Sequence, residues 1–156
     1  MMIVSSARSI LRHPRTERLL GMTLVELAAA LAIAGIVMAT AIPRYSHFRD
    51  RLAVYGATSA LTSALADTRH LAARWNRRTA LAIDTSAASL AVHAGTDTVT
   101  RVPLGALFQV GLAATRDSIA YYPSGLGYGA SNATLIVRRG TAAETVTVSR
   151  IGRVKR

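Results

Sequence analysis

Residues 21–43 read GMTLVELAAALAIAGIVMATAIP. No charged residue lies between Leu27 and Ile42, and one carboxylate, Glu26, stands at the head of the run. As a helix, residues 22–42 extend about 30 Å, the thickness of a hydrocarbon core. Pro43 marks a break or kink, and Arg44 follows as an interfacial anchor. A basic leader carrying Arg8, Arg12, Arg15 and Arg18 precedes the run. Three readings compete. A buried core helix is one, although so long a run, apolar on all sides, is uncommon in a soluble domain of this size. A cleaved secretory signal is the second, with a basic n-region and Ala39-Thr40-Ala41 as an A-x-A site. Against it, Glu26 lies inside the signal and Pro43 falls just past the cut. The third is a retained membrane anchor processed on its N-terminal side.

The combination of Gly21, Thr-Leu-Val-Glu-Leu, the apolar run and Pro43 resembles the class III signal of type IV pilins and pseudopilins. The resemblance implies that a prepilin peptidase cuts after Gly21 on the cytoplasmic side and that Met22 becomes the N-methylated first residue. It implies that Glu26, the fifth mature residue, meets the Met22 amine of a neighbouring subunit as helices bundle. Met22 departs from the usual Phe, and the leader is longer than in many major pilins. An isolated carboxylate in hydrocarbon costs roughly 2.5–3.5 kcal/mol on insertion scales, and such residues usually mark function. A partner removes much of that cost, and a buried polar group of this kind sets register. The bland alternative places Glu26 shallow, among headgroups, with no specific role.

Composition agrees with an anchored chain. The 156 residues allow one modest domain with extensions. Hydrophobic content is 51% and mean hydropathy is +0.29, with much of the excess in residues 22–42. Net charge is +11, from 19 basic and 8 acidic residues, and Lys155 is the only lysine. Arginine enrichment alone is weak evidence for nucleic-acid binding. Cysteine is absent, which excludes disulfides, thiolate nucleophiles and cysteine metal sites.

Residues 43–78 read as an amphipathic helix. Tyr45, Phe48, Leu52 and Tyr55 form an apolar stripe that Leu61, Leu65, Thr68, Ala72 and Trp75 resume. The aromatics are expected in the core, and the second half of the helix on a sheet. Asn76-Arg77-Arg78 resembles a helix C-terminus with cations near the negative pole. Residues 79–156 are β-rich. Strands are expected at 79–84, 89–94, 98–103, 106–112, 118–123, 133–139 and 144–151, separated by turn signals. The fold class is therefore α+β and pilin-like. A leader (1–21), a transmembrane stalk (22–42) and an amphipathic helix (43–78) precede a periplasmic antiparallel β domain (79–156).

Nothing in the sequence argues for an enzyme or a cofactor. His13, His47, His70 and His93 are far apart and lack neighbours at ligand spacing. The glycine-rich SGLGYGAS (124–131) lacks the lysine and following helix of a phosphate loop and reads as a turn before a strand. Tyr121-Tyr122 reads as strand packing. YYPSGLGYGASNATLIV followed by a hairpin and VSRIGRVKR is similar to the C-terminal half of the GspH/FimT group of minor pseudopilins. That resemblance implies a filament subunit of a type II secretion system or type IV pilus. It would sit in the inner membrane by a single pass, N-terminus cytoplasmic, with prepilin peptidase and other pilins as partners. Arg138, Arg139, Arg150, Arg153, Lys155 and Arg156 are expected to form one basic patch that binds phosphates. Some FimT-like members are thought to bind DNA through a Gly-Arg-x-Arg element. Gly152-Arg153-Val154-Lys155 fits it with Lys in place of the second Arg, keeping the charge and losing the bidentate fork. Double-stranded DNA is thus a candidate partner, and the alternative is a solvated basic tail that only aids solubility or docks on acidic neighbour subunits.

Overall fold

A computed structural model describes residues 21–128 and 132–156. The leader with its four arginines and His13, and the end of the glycine-rich loop at 129–131, lie outside the described residues. The described residues fall into two compact units, divided between Met38 and Ala39. Helix α1 runs Leu24–Arg74. Then come β1 (Thr79–Asp84), β2 (Ser89–Ala94), β3 (Asp97–Val102), α2 (Leu104–Phe108) and β4 (Gly111–Ala114). The chain closes with β5 (Ser118–Tyr121), β6 (Ala133–Arg139), β7 (Ala142–Val148) and β8 (Val154–Lys155).

In the first unit the described part of α1 is exposed almost throughout, including Leu24, Val25, Leu31, Ile33 and Ile36. A buried core helix is therefore ruled out for this run. Pro43 lies inside α1 and the helix continues through it, so of the break or kink expected there, the break does not occur. A proline removes only its own N–H bond to the carbonyl four residues back, and the flanking turns keep theirs. The helix stops at Arg74 with Asn76 in the left-handed region, φ 47°. Arg77 N–H donates to Ala72 C=O and Asn76 N–H to Ala73 C=O, which together form a Schellman cap.

In the second unit α1 buries Val54, Ala57, Thr58, Leu61, Ala64, Leu65, Thr68 and Ala72, a stripe at three- and four-residue spacing. Two antiparallel four-stranded sheets complete the core, ordered β3-β2-β1-β5 and β4-β6-β7-β8. Strand alternation sends Leu81, Ile83, Leu90, Val92, Ile119 and Tyr121 inward from the first sheet. Leu135, Val137, Val146 and Val148 point inward from the second. Thr79 Oγ1 donates to the Thr68 carbonyl at 2.6 Å and ties the start of β1 to the helix.

Three expectations need correction. The aromatic stripe is not core: Tyr45, Phe48 and Tyr55 are 64%, 57% and 62% exposed, and Leu52 is 55% exposed. The later part of the expected stripe, Leu61, Leu65, Thr68 and Ala72, is buried, and burial extends N-terminally through Val54, Ala57 and Thr58 rather than through the aromatics. Trp75, past the last helical turn, is also exposed. Second, 106–112 is not one strand. Pro103 accepts the Leu107 N–H, starting α2, and Gln109 closes it in the left-handed region at φ 55° before β4 begins. Third, 144–151 does not stay extended. The chain turns at Ser149–Gly152 and returns as β8, pairing Thr147 with Lys155 and Val148 with Val154. Gly152 takes φ +78°, and a Cβ there would lie 2.9 Å from the Tyr121 ring, so the turn needs glycine.

Candidate functional site

The N-terminal end of α1 is organised around Glu26. Its Oε2 accepts from the Thr23 backbone N–H and from the Thr23 hydroxyl, each at 2.9 Å. The Glu26 N–H donates to Thr23 Oγ1 at 3.2 Å. Thr23-Leu24-Val25-Glu26 is thus a reciprocal capping box. Sequence reasoning singled out Glu26 and passed over its partner, although T-x-x-E ahead of an apolar run is a sequence-level sign of a helix start. A Cβ on Gly21 would meet nothing within 4 Å, so no neighbour among the described residues demands the glycine. Met22 is exposed. By length and composition α1 is able to cross a membrane, and its most apolar stretch makes no buried contact.

At the other end, the six basic residues do not form one patch. Arg139 Nε pairs with Asp50 at 3.0 Å, and its other nitrogens donate to the Phe108 carbonyl and Gln109 Oε1. It therefore joins α1, α2 and β6. Arg156 grips Glu144 through two bonds, Nε to Oε1 at 2.6 Å and Nη2 to Oε2 at 3.2 Å. Its guanidinium also lies 4.5 Å from the centroid of the Tyr55 ring. Arg156 holds the Glu144 carboxyl below its usual pKa. These two arginines are structural ties, a correction to the expectation of six phosphate-facing cations. Charge patterns alone do not reveal which acid a side chain reaches across the fold.

Arg138, Arg150, Arg153 and Lys155 are exposed. Arg153 and Lys155 line a shallow cleft with Thr134, Thr147 and Ser149 at the β6–β8 end of the second sheet. The Ser149–Gly152 turn aims Arg153. Gly152 N–H donates to the Ser149 carbonyl, Ser149 N–H to the Arg153 carbonyl, and Arg153 N–H to Ser149 Oγ. Arg138 stands on the same strand as Arg139, one residue nearer β6's centre, and its neighbour across the ladder is Ala143.

The glycine-rich segment is a turn over its described residues. Tyr122 N–H donates to the Leu126 carbonyl, and Tyr121 bridges Gly127. The tyrosine pair splits: Tyr121 is fully buried, whereas Tyr122 is exposed and packs on Tyr128 at 4.9 Å between ring centroids. Arg78 stacks on Tyr128 at 4.7 Å. His47 shares a hydrogen bond with Thr141, and His93 with Thr98.

A helix exposed and apolar at its start, then packed on antiparallel sheets, defines a pilin-like fold. Solved structures carry the same arrangement. The type IV minor pilin FimU of Pseudomonas aeruginosa superposes with a TM-score of 0.57 at 13% identity, over 67% of this chain and 88% of that one. A second crystal form of FimU gives 0.54 at 12% identity, over 65% and 90%. The minor pseudopilin EpsH from the type 2 secretion system of Vibrio cholerae gives 0.48 at 14% identity, over 65% and 92%. No protein-family model and no curated protein matches the sequence.

Proposed function

We propose that this chain is a minor pilin or pseudopilin of the GspH/FimT type, a structural subunit that helps prime or cap a type IV pilus or a type II secretion pseudopilus. The reading makes residues 1–21 a leader removed by prepilin peptidase, 22–42 the inner-membrane stalk, 43–78 the amphipathic helix and 79–156 the periplasmic domain. The basic leader holds the N-terminus in the cytoplasm. Cleavage after Gly21 and N-methylation create the Met22 amine, and Glu26 of a neighbouring subunit pairs with it as the helices bundle. The observation that carries this is the capped acid at the head of an exposed apolar helix, continuous with a domain of FimU-like fold. Intact mass and N-terminal sequencing of the mature protein test it. A start at N-methyl-Met22 supports the proposal, and a start at Ile42 overturns it.

A second reading, double-stranded DNA binding by a pilus-associated receptor, is favoured by the cleft that places Arg153 and Lys155 beside three hydroxyls. This reading rests on Arg153 and Lys155, because Arg139 and Arg156 are engaged in ion pairs within the domain. Fluorescence anisotropy with duplex DNA over a salt series tests it in the full chain held in lipid nanodiscs. Replacing Arg153 and Lys155 with alanine is expected to flatten the log–log salt slope by about 2, since each phosphate that a cation neutralises adds about 0.9 to it. Absence of binding at low salt refutes it.

A further inference from the structure

A pocket of about 420 Å³ opens on α1 just past its apolar stretch, lined by Arg44, His47, Phe48, Arg51 and Thr141. We infer that it holds the phosphate of an anionic phospholipid headgroup. The inference rests on the reading of residues 22–42 as a membrane stalk, and it assigns a role to the turns that follow that stalk.

Spacing puts three basic side chains in one row. Arg44, His47 and Arg51 stand at i, i+3 and i+7 on α1, and all three are exposed. The row runs between the buried face that carries Val54 and Ala57 and the exposed Tyr45 and Phe48. Thr141, on the turn between β6 and β7, closes the pocket from the other side. Its Oγ1 shares a hydrogen bond with His47 Nδ1 at 3.0 Å, which leaves Nε2 for a ligand.

Charge makes the pocket an anion site. Among the described residues, neither Arg44 nor Arg51 has a side-chain hydrogen bond or ion pair; the ion pairs fall to Arg139 and Arg156. Asp50 is the one acid between Pro43 and Ala66, and Arg139 holds it. No carboxylate lines the pocket. Guanidinium forks match phosphate oxygens in a way that a point charge does not.

Depth selects the source of that phosphate. At about 1.5 Å per residue, Arg44, His47 and Arg51 lie about 3, 8 and 14 Å beyond Ile42 along the helix. The headgroup layer is about 5–8 Å thick on each side of the hydrocarbon. Helical side chains lean toward the N-terminus, which is the membrane side here, so the long Arg51 stem returns its charge toward that layer. Tyr45 stands beside the row, at the depth where tyrosines collect. Cytoplasmic loops carry the usual excess of arginine. On the proposed topology these cations lie on the other side, where an anionic lipid neutralises them. A zwitterionic headgroup would instead add its own cation to a pocket that already holds two.

The test embeds the full chain in nanodiscs of equal parts phosphatidylglycerol and phosphatidylcholine with matched acyl chains. Native mass spectrometry identifies the lipid retained on the released protein. Phosphatidylglycerol is expected to exceed phosphatidylcholine about twentyfold, since each arginine near an anionic surface contributes about fivefold. Arg44→Gln and Arg51→Gln should each lower the ratio about fivefold. Arg49→Gln, at similar depth on the opposite side of the helix, should leave it unchanged. Equal retention of the two lipids overturns the inference. So does an equal fall in Arg49→Gln, which would mean diffuse surface charge rather than a pocket. Displacement of the lipid by inorganic phosphate or by duplex DNA overturns it as well, because the site would then serve a soluble anion. Failure to enter nanodiscs of phosphatidylcholine alone would overturn the membrane stalk and this inference together, whereas insertion without lipid preference overturns this inference alone.

Discussion

Replacing Arg156 tests whether the C-terminus is a clamp. The residue joins β8 to Glu144 on β7 and to Tyr55 on α1, so it closes the second sheet onto the helix. Both side chains of the ion pair are about a third exposed, at 32% and 30%. Exposed pairs contribute about 0.2–1 kcal/mol, and a bidentate geometry belongs at the upper end before salt screening. The stacking on Tyr55 adds about 0.5–1 kcal/mol. Together, Arg156→Gln should cost about 1–1.5 kcal/mol. In a domain of this size that lowers the melting temperature by about 4–8 °C. The assay is thermal unfolding followed by circular dichroism at pH 7 and low salt, in wild type, Arg156→Gln, Glu144→Gln and the double variant. The cycle should return a coupling of about 0.5–1 kcal/mol that shrinks in high salt. The pH dependence has a fixed sign. Arg156 holds the folded pKa of Glu144 below its ordinary value of 4.5. The contribution is therefore full above that value and is lost as pH falls through the lower, folded one. Wild type and Arg156→Gln should converge in acid. A melting temperature unchanged by Arg156→Gln, with zero coupling in the cycle, would refute the clamp.

Two further substitutions probe the same domain. Gly140 sits at φ +53°, and a Cβ there would strike the Asp50 carboxylate, which holds Arg139. Gly140→Ala should lower stability by about 2 kcal/mol, from left-handed strain plus a displaced ion pair, read as a lower urea midpoint with unchanged slope. Leu61 is fully buried between helix and sheets. Leu61→Ala should cost about 2–5 kcal/mol in the same assay, and a smaller loss would mean that the core collapses around the cavity.

The sequence was legible where local chemistry decides. The bounds of β1, β2 and β6 coincide with the predicted strands, because alternation and flanking turn residues mark both ends. The Schellman end of α1 follows from Asn76 and the cations around it. Legibility failed where the deciding partner is remote. Periodicity finds the apolar stripe on α1 but not where its burial begins: Leu61, Leu65, Thr68 and Ala72 are covered, whereas Tyr45, Phe48 and Leu52 are exposed. Segment 106–112 is ambiguous because an unbroken apolar run fits a short helix as well as a strand, and Pro103 serves equally as the end of a preceding strand. At the C-terminus, charge is visible and pairing is not. Glu144 and Asp50 each claim an arginine from another part of the sequence, and this divides what looks like one basic patch.

Glu26 raises the remaining question, how an acid tolerates the head of an apolar helix before any filament exists. The first-turn N–H groups of a helix lack partners of their own, and a carboxylate in hydrocarbon lacks donors. The capping box lets each satisfy the other: Thr23 supplies an N–H and a hydroxyl to Glu26 and receives the Glu26 N–H in return. On the proposed function, a waiting subunit therefore holds its acid internally satisfied, and the Met22 amine of an incoming neighbour must compete with Thr23. Thr23→Val keeps the shape and the backbone donor and removes the hydroxyl. It should raise the free energy of membrane insertion by about 1 kcal/mol, the usual worth of such a cap, measured as the inserted fraction of a reporter fusion. Glu26→Gln should insert better than wild type and lose most of the Thr23→Val effect, since an uncharged partner leaves little for the hydroxyl to stabilise. Equal insertion of Thr23→Val and wild type would show that headgroups or water, rather than Thr23, satisfy the acid.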